Sequence, residues 1–179
     1  MDKTIDFSKK VINEINNKNI AVDMTCGRGN DTLFLAQNFK KVYAFDIQID
    51  AINDTKELCN RNNINNVNII HDTFLNVNKY VNDNIDCAMY NLGYLPKGDK
   101  SIHTIPIETK ESLEIIMNKL NKDGIISIMF YPGFQSGKEE SDLVLEYLKG
   151  VNQKEFDILK YEYINQINDP PFLVLIRKR

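Results

Sequence analysis

Ala21-Val22-Asp23-Met24-Thr25-Cys26-Gly27-Arg28-Gly29-Asn30-Asp31 reads as a strand, a turn and the opening of a helix. A short apolar run ends in an acid, Thr-Cys-Gly-Arg-Gly turns the chain, and Asn30-Asp31 begins the helix. Glycines at that point let the backbone come close to a bound molecule and offer it N–H groups and a helix N-terminus. Seventeen residues beyond Gly29, the next strand-like run, Val42-Tyr43-Ala44-Phe45, ends in Asp46. A second strand-end acid at that distance is placed to hold the hydroxyls of a nucleoside ribose. Together the two features point to an adenosine-containing ligand.

Outward from this stretch the elements alternate regularly. A helix is expected over residues 7–17, with Val11, Ile12 and Ile15 on one face, and a strand over 20–24. Then follow a helix over 31–38, a strand over 42–45, a helix over 49–62 and a strand over 67–70 leading to His71-Asp72. A short helix over 74–81 precedes a strand over 85–90. Pro106 marks a helix start, Leu113, Ile116, Met117 and Leu120 form its apolar stripe, and Asp123-Gly124 stops it. A strand over 125–130 and a helix over 138–149 complete the alternation. The last two strands, 156–164 and 172–176, are joined by the turn Asn168-Asp169-Pro170-Pro171 and form an antiparallel hairpin. This is the pattern of an α/β fold: a seven-stranded, mostly parallel, doubly wound sheet in one domain over 1–179, with its antiparallel strand at the edge.

Composition narrows the function classes. Hydrophobic residues make up 42% and charged residues 26% of the 179, ordinary values for a globular protein. No apolar run approaches a membrane span, and the first residues lack the apolar core of a signal peptide, so a cytoplasmic location without membrane contact is expected. Three cysteines, Cys26, Cys59 and Cys87, fit no Cys-x-x-Cys pattern and read as reduced thiols; two histidines are too few for a His-based metal site. A net charge of −3 argues against non-specific coating of nucleic acid. Lys97, Lys100, His103 and Lys110 nevertheless gather around one loop, a local hint of a polyanionic partner.

The glycine turn discriminates between ligands. A dinucleotide site needs a third glycine, and Gly27-Arg28-Gly29-Asn30-Asp31-Thr32 lacks it. Asp31 at the helix start would repel a pyrophosphate. An acid beside an amide suits a ligand with an ammonium group, as S-adenosylmethionine has on its methionine end. Arg28 is either a solvated loop residue or a partner for a ligand carboxylate. Cys26 reads as a small residue packed under the turn. Tyr131-Pro132-Gly133-Phe134 and Phe172 either border an acceptor pocket or pack in the core.

Nearly the whole chain resembles the class I S-adenosylmethionine-dependent methyltransferases, whose Rossmann-like sheet ends in an antiparallel strand. Asp23 through Gly29 is similar to their first motif, with Thr25 where glycine is more usual. Asp46 is similar to their ribose-binding acid, with Ile47 and Gln48 just past it toward the adenine, and Asp72, after His71, to the acid that receives the adenine amino group. The resemblance implies S-adenosyl-L-methionine as cofactor, held by Asp23, Thr25, Gly27, Gly29, Asn30, Asp31, Asp46, Ile47, Gln48, His71, Asp72 and Asn91, with no metal.

Tyr90-Asn91-Leu92-Gly93-Tyr94-Leu95-Pro96-Lys97-Gly98-Asp99-Lys100 follows the fourth strand, where that superfamily places the acceptor. Many of its amino-group methyltransferases carry Asp/Asn-Pro-Pro-Tyr/Phe there; this chain keeps the Asn and the aromatic and replaces both prolines. With Asp23 to Thr32, Phe45-Asp46-Ile47-Gln48 and Asn168 to Phe172, the segment resembles the tRNA 5-(aminomethyl)-2-thiouridine methyltransferases, a family formerly labelled rRNA methylase. That resemblance implies methyl transfer to the aminomethyl nitrogen of the wobble uridine in the tRNA anticodon loop; whether the chain acts as a monomer or homodimer is left open by the sequence. It casts Asn91 and the Leu92 carbonyl as the groups orienting the amine and Tyr94 as a stacking or pocket residue. An alkyl amine need not have a general base, and His103 on the loop is either a base or a solvated residue. Two alternatives stay open: an rRNA base or small amine as acceptor, and nucleotide binding without methyl transfer.

Overall fold

A strand covered on both faces is apolar at every position, and the central runs of this chain have that character. The structure, a computed structural model, describes residues 3–93 and 103–179. Among them, β1 (Ile20–Asp23), β2 (Lys41–Asp46), β3 (Val67–His71), β4 (Ile85–Asn91), β5 (Leu120–Phe130), β6 (Phe156–Tyr161) and β7 (Phe172–Lys178) form one sheet in the order β3-β2-β1-β4-β5-β7-β6. The first five are mutually parallel, and β7 runs antiparallel to both its neighbours.

The antiparallel strand is therefore not at the edge, as expected, but one place inside it. Phe172 to Ile176 are all buried and need cover on two faces, whereas Asp157 and Lys160 are exposed and suit β6 to the rim.

Alternation sorts side chains between two layers of helices. Ala21, Val42, Cys87, Met89 and Leu173 face α1 (Thr4–Asn13) and α2 (Asn30–Asn38), which contribute Ile12 and Leu35. On the same side α3 (Ile49–Arg61) sets Ile52 against Ala44. Val22, Phe45, Tyr90, Ile128 and Val174 face the other way. There they meet a 3-10 turn (Phe74–Asn76) running into α4 (Val77–Tyr80), Leu113 and Ile116 of α5 (Pro106–Lys119), and Val144 of α6 (Gln135–Lys149). Among the described residues, every buried side-chain nitrogen and oxygen has a hydrogen-bond partner.

Several boundaries depart from expectation, among them the start of β5 at Leu120 and not 125 and the end of β6 at Tyr161 and not 164; three helix boundaries have a clear cause. Helix α1 spans Thr4–Asn13 and not 7–17, because Asn16-Asn17-Lys18-Asn19 is a poor helix former. Helix α5 ends at Lys119, ahead of Asp123-Gly124. Leu120 already pairs with Ile85, and Asp123 at φ +63° takes up a register shift before Cys87 and Ile125 pair. Helix α6 starts at Gln135 and not 138. A Cβ at Gly137 would lie 2.2 Å from the Tyr131 carbonyl oxygen, so this glycine admits a helical turn where a larger residue would stop it. Between β1 and β4 the strand order reverses, which opens a crevice at the carboxyl ends of the strands.

Candidate functional site

Asp23, at the end of β1, is 1% exposed. One of its oxygens accepts the Thr25 N–H at 3.2 Å, the other the Thr32 hydroxyl at 2.6 Å, so a single carboxyl braces both ends of the glycine turn. Burial, reinforced by the nearby Asp31 charge, pushes its pKa up to about 7. Gly27 (φ +50°) and Gly29 (φ +81°) hold conformations that favour glycine. The Gly29 backbone also lies against Thr55 of α3, where a Cβ would meet the Thr55 Cα and hydroxyl at 3.0 Å. Cys26 is buried under the turn with its sulfur 3.5 Å from the Thr55 hydroxyl.

The turn is tied sideways to β2. The Gly27 N–H donates to Asp46 Oδ2 at 3.0 Å and the Gln48 N–H to Oδ1 at 2.9 Å. Burial raises the Asp46 pKa. Asp72, beyond β3, accepts from the Thr73 N–H, the Asn76 amide and the Tyr80 hydroxyl, each at 2.8 Å, and these donors, Asn76 foremost, hold its carboxyl below the usual range.

A cavity of about 800 Å³ opens above these strand ends. Of the residues expected to hold a cofactor, Thr25, Gly27, Asn30, Asp31, Asp46, Ile47, Gln48, Asp72 and Asn91 line it. Asp23, Gly29 and His71 are not among its lining: His71 Nε2 lies 3.0 Å from the Ile47 carbonyl oxygen and so ties β3 to the turn that presents Ile47. The Ile47 side chain is itself 54% exposed on the cavity wall, an apolar shelf beside Asp46. A carboxylate next to such a shelf can take ribose hydroxyls while the shelf covers a purine face.

Asp31 is not the open acid the sequence suggests. Lys9 of α1 sits 3.0 Å from its Oδ1, and the Asn91 amide donates to Oδ2 at 3.3 Å. Asp31 thus reaches the cavity already paired, with Lys9 behind it. Lys9 carries no signal in the sequence, since it is one lysine of an amphipathic helix. Arg28 pairs with Asp54 at 2.5 Å.

The adjoining wall is built at the end of β4. The Asn91 N–H donates to the Thr25 hydroxyl at 2.8 Å, a bond that glycine at position 25 could not make. Asn91 Oδ1 accepts the Tyr131 hydroxyl at 2.7 Å, and the Leu92 N–H reaches the Met129 carbonyl at 3.1 Å. Tyr94, like Lys97 and Lys100, lies outside the described residues.

Gly93, at φ +110°, is bridged to Thr104. Its N–H donates to the Thr104 hydroxyl and the Thr104 N–H to its carbonyl, both at 3.0 Å. The Thr104 hydroxyl in turn donates to Glu140 Oε2 at 2.7 Å, and Thr109 to Oε1 at 2.6 Å. Glu140 is 2% exposed, and burial raises its pKa. Neither Glu140 nor Thr104 is recognisable in the sequence as a site residue. His103, Ile105, Tyr131 and Phe134 complete this wall, whereas Phe172 stacks on Phe130 at 5.0 Å in the core. Among the described residues no group of three or more His, Cys, Asp or Glu is placed to hold a metal, and no helix is long and apolar enough to cross a membrane.

The family model described as "Putative rRNA methylase" matches residues 42–177. The chain is 32% identical over 175 residues to the chloroplastic tRNA (mnm5s2U34)-methyltransferase of Arabidopsis thaliana, covering 88% of this chain and 62% of the plant protein. It thus spans about three-fifths of that relative's length. A solved structure from Clostridium thermocellum with the same description superposes with a TM-score of 0.97 at 40% identity, over 100% of this chain and 99% of that one. SMU.1697c of Streptococcus mutans, solved in complex with SAH, gives a TM-score of 0.94 at 41% identity, over 100% and 99%.

Proposed function

This chain belongs to the rRNA methylase family, and on that footing we propose that it is an S-adenosyl-L-methionine-dependent RNA methyltransferase. Its acceptor on this reading is the aminomethyl nitrogen of 5-aminomethyl-2-thiouridine at the wobble position of tRNA, and its product 5-methylaminomethyl-2-thiouridine. The observation that carries the reading is one continuous cavity, bounded at one end by Asp46, Ile47 and Asp72 and at the other by Asn91, Leu92 and Gly93. A nucleoside cofactor and an acceptor amine can share that space. The plant relative supports the acceptor, and the SAH held by the Streptococcus mutans protein supports the cofactor.

The residues present fit the cofactor. Asp46 would take the ribose hydroxyls, Ile47 and Asp72 the adenine, and Asp31, paired with Lys9, the methionine end. S-adenosylmethionine, when bound, supplies a methyl group on a sulfonium leaving group. The chain then has to position the acceptor and exclude water. Orientation of this kind is worth up to roughly 7–11 kcal/mol in favourable cases. Asn91 Oδ1 and the Leu92 carbonyl are the acceptors for the N–H groups of the incoming amine. Asn91 is held for that task by Thr25 at its backbone and by Tyr131 and Asp31 at its side chain.

The decisive experiment is nucleoside mass spectrometry of tRNA from a strain lacking the gene, before and after incubation with purified protein and S-adenosylmethionine. Accumulation of the unmethylated aminomethyl-thiouridine, and its conversion on incubation, is expected. An unchanged tRNA profile, or methyl incorporation into rRNA alone, would overturn the tRNA assignment.

A further inference from the structure

Glu140 is a buried carboxylate on α6 that lines no part of the cavity, yet a chain of hydrogen bonds runs from it to the acceptor wall. Both of its oxygens receive hydroxyl protons, from Thr104 at 2.7 Å and Thr109 at 2.6 Å. With both oxygens taken up as acceptors, the carboxyl fixes the Thr104 rotor as a donor toward α6. The hydroxyl's lone pairs are then left for the Gly93 N–H, which they receive at 3.0 Å. That N–H belongs to the same planar trans peptide as the Leu92 carbonyl, and the two groups point in opposite directions. Holding one therefore aims the other. Leu92 anchors one side of this peptide, being buried and bonded through its N–H to the Met129 carbonyl. Gly93 on the other side has no side chain, and a Cβ there would meet nothing within 4 Å, so on that side the hydrogen bond and not packing sets the orientation.

We propose that Glu140 is a positioning residue for methyl transfer: through the Thr104 hydroxyl and the Gly93 N–H it sets the direction of the Leu92 carbonyl that receives the acceptor amine. The inference rests on the amine-methylation reading above. It adds a residue far from the glycine turn whose loss impairs the acceptor half of the site and spares the cofactor half.

Three variants test it: Thr104→Val, which removes the hydroxyl at constant shape; Thr104→Ser, which restores it; and Glu140→Gln, which removes the charge. Three readouts separate orientation from folding: SAH affinity by calorimetry, kcat and KM on tRNA carrying the aminomethyl nucleoside, and hydrogen exchange of the peptide containing Gly93. In Thr104→Val and Glu140→Gln, faster exchange at Gly93 is expected, with kcat lowered about 10- to 100-fold, the scale of a small misplacement. SAH affinity should stay at its wild-type value, and Thr104→Ser should behave as wild type. Unchanged kcat, unchanged exchange, or a parallel loss of SAH affinity would overturn the relay. A wild-type protein that leaves this tRNA unmethylated would instead overturn the functional reading, while the exchange data still judge the hydrogen-bond chain.

Discussion

Replacing Asp23 by asparagine should change how the stability of this protein depends on pH. The carboxyl ionises near 3.8 in an ordinary setting and near 7 in the folded protein, chiefly because it is buried and secondarily because Asp31 is close. Between those values the folded protein keeps a proton that the unfolded chain has lost. Stability contributed by this group is therefore full below about pH 4, falls as pH rises, and is gone above about 7. At 1.36 kcal/mol per unit, the loss between pH 5 and pH 8 is about 2–3 kcal/mol. Asparagine keeps an acceptor for the Thr25 N–H and does not ionise. Urea unfolding of both proteins at several pH values isolates the effect, since Asp46 and Glu140, also raised, are common to both. The stability of Asp23→Asn relative to wild type should climb by that amount from pH 5 to pH 8. Parallel profiles for the two proteins would refute a neutral, buried Asp23.

Other outcomes follow from the same geometry. Asp46→Ala should weaken SAH binding about 10- to 100-fold, the scale of hydrogen bonds to a charged group, and Asn91→Ala should lower kcat with SAH affinity nearly intact; calorimetry and single-turnover assays separate the two, and equal loss of affinity would contradict the division. Tyr131→Phe removes the hydroxyl from Asn91 Oδ1, and a fall in kcat of about fivefold is expected for one hydrogen bond; unchanged turnover would mean that Asn91 needs no such support. Gly137→Ala puts a Cβ 2.2 Å from the Tyr131 carbonyl oxygen, and a loss of about 2–3 kcal/mol is expected from the urea midpoint; an unmoved midpoint would show that the first turn of α6 yields freely.

Much of the proposed cofactor half is written locally. Asp23, the glycines and Asp46 lie in short runs whose roles depend on strand ends and turns, and those follow from periodicity and from glycine's freedom at positive φ. The acceptor half is less legible because it is assembled from residues far apart in the chain. Glu140, in the middle of an amphipathic helix, looks like any acidic surface residue until α6 packs and buries it against Thr104 and Thr109. Lys9 likewise gains its meaning only when α1 folds over Asp31. Gly137 misleads in the other direction. The helix is expected only from residue 138, just past it, although its missing side chain is what lets that helix begin close to Tyr131. The place of β7 in the sheet was hidden for a related reason, since hairpin pairing alone does not say which of two strands lies inside.

That interior place has a consequence for assembly. Strand β6 touches the sheet only through β7, which follows it in the chain. During synthesis, β6 has no strand to pair with until β7 has emerged. β7 also supplies Leu173 and Leu175 to the layer that α1 covers, so the earliest helix and the latest strand settle together. The glycine turn and its acids can gather from β1 to β4 before then. Tyr131 directly follows Phe130, which pairs with Phe172 at the start of that late strand, so one flank of the wall that would receive the RNA is supplied by the last part of the chain.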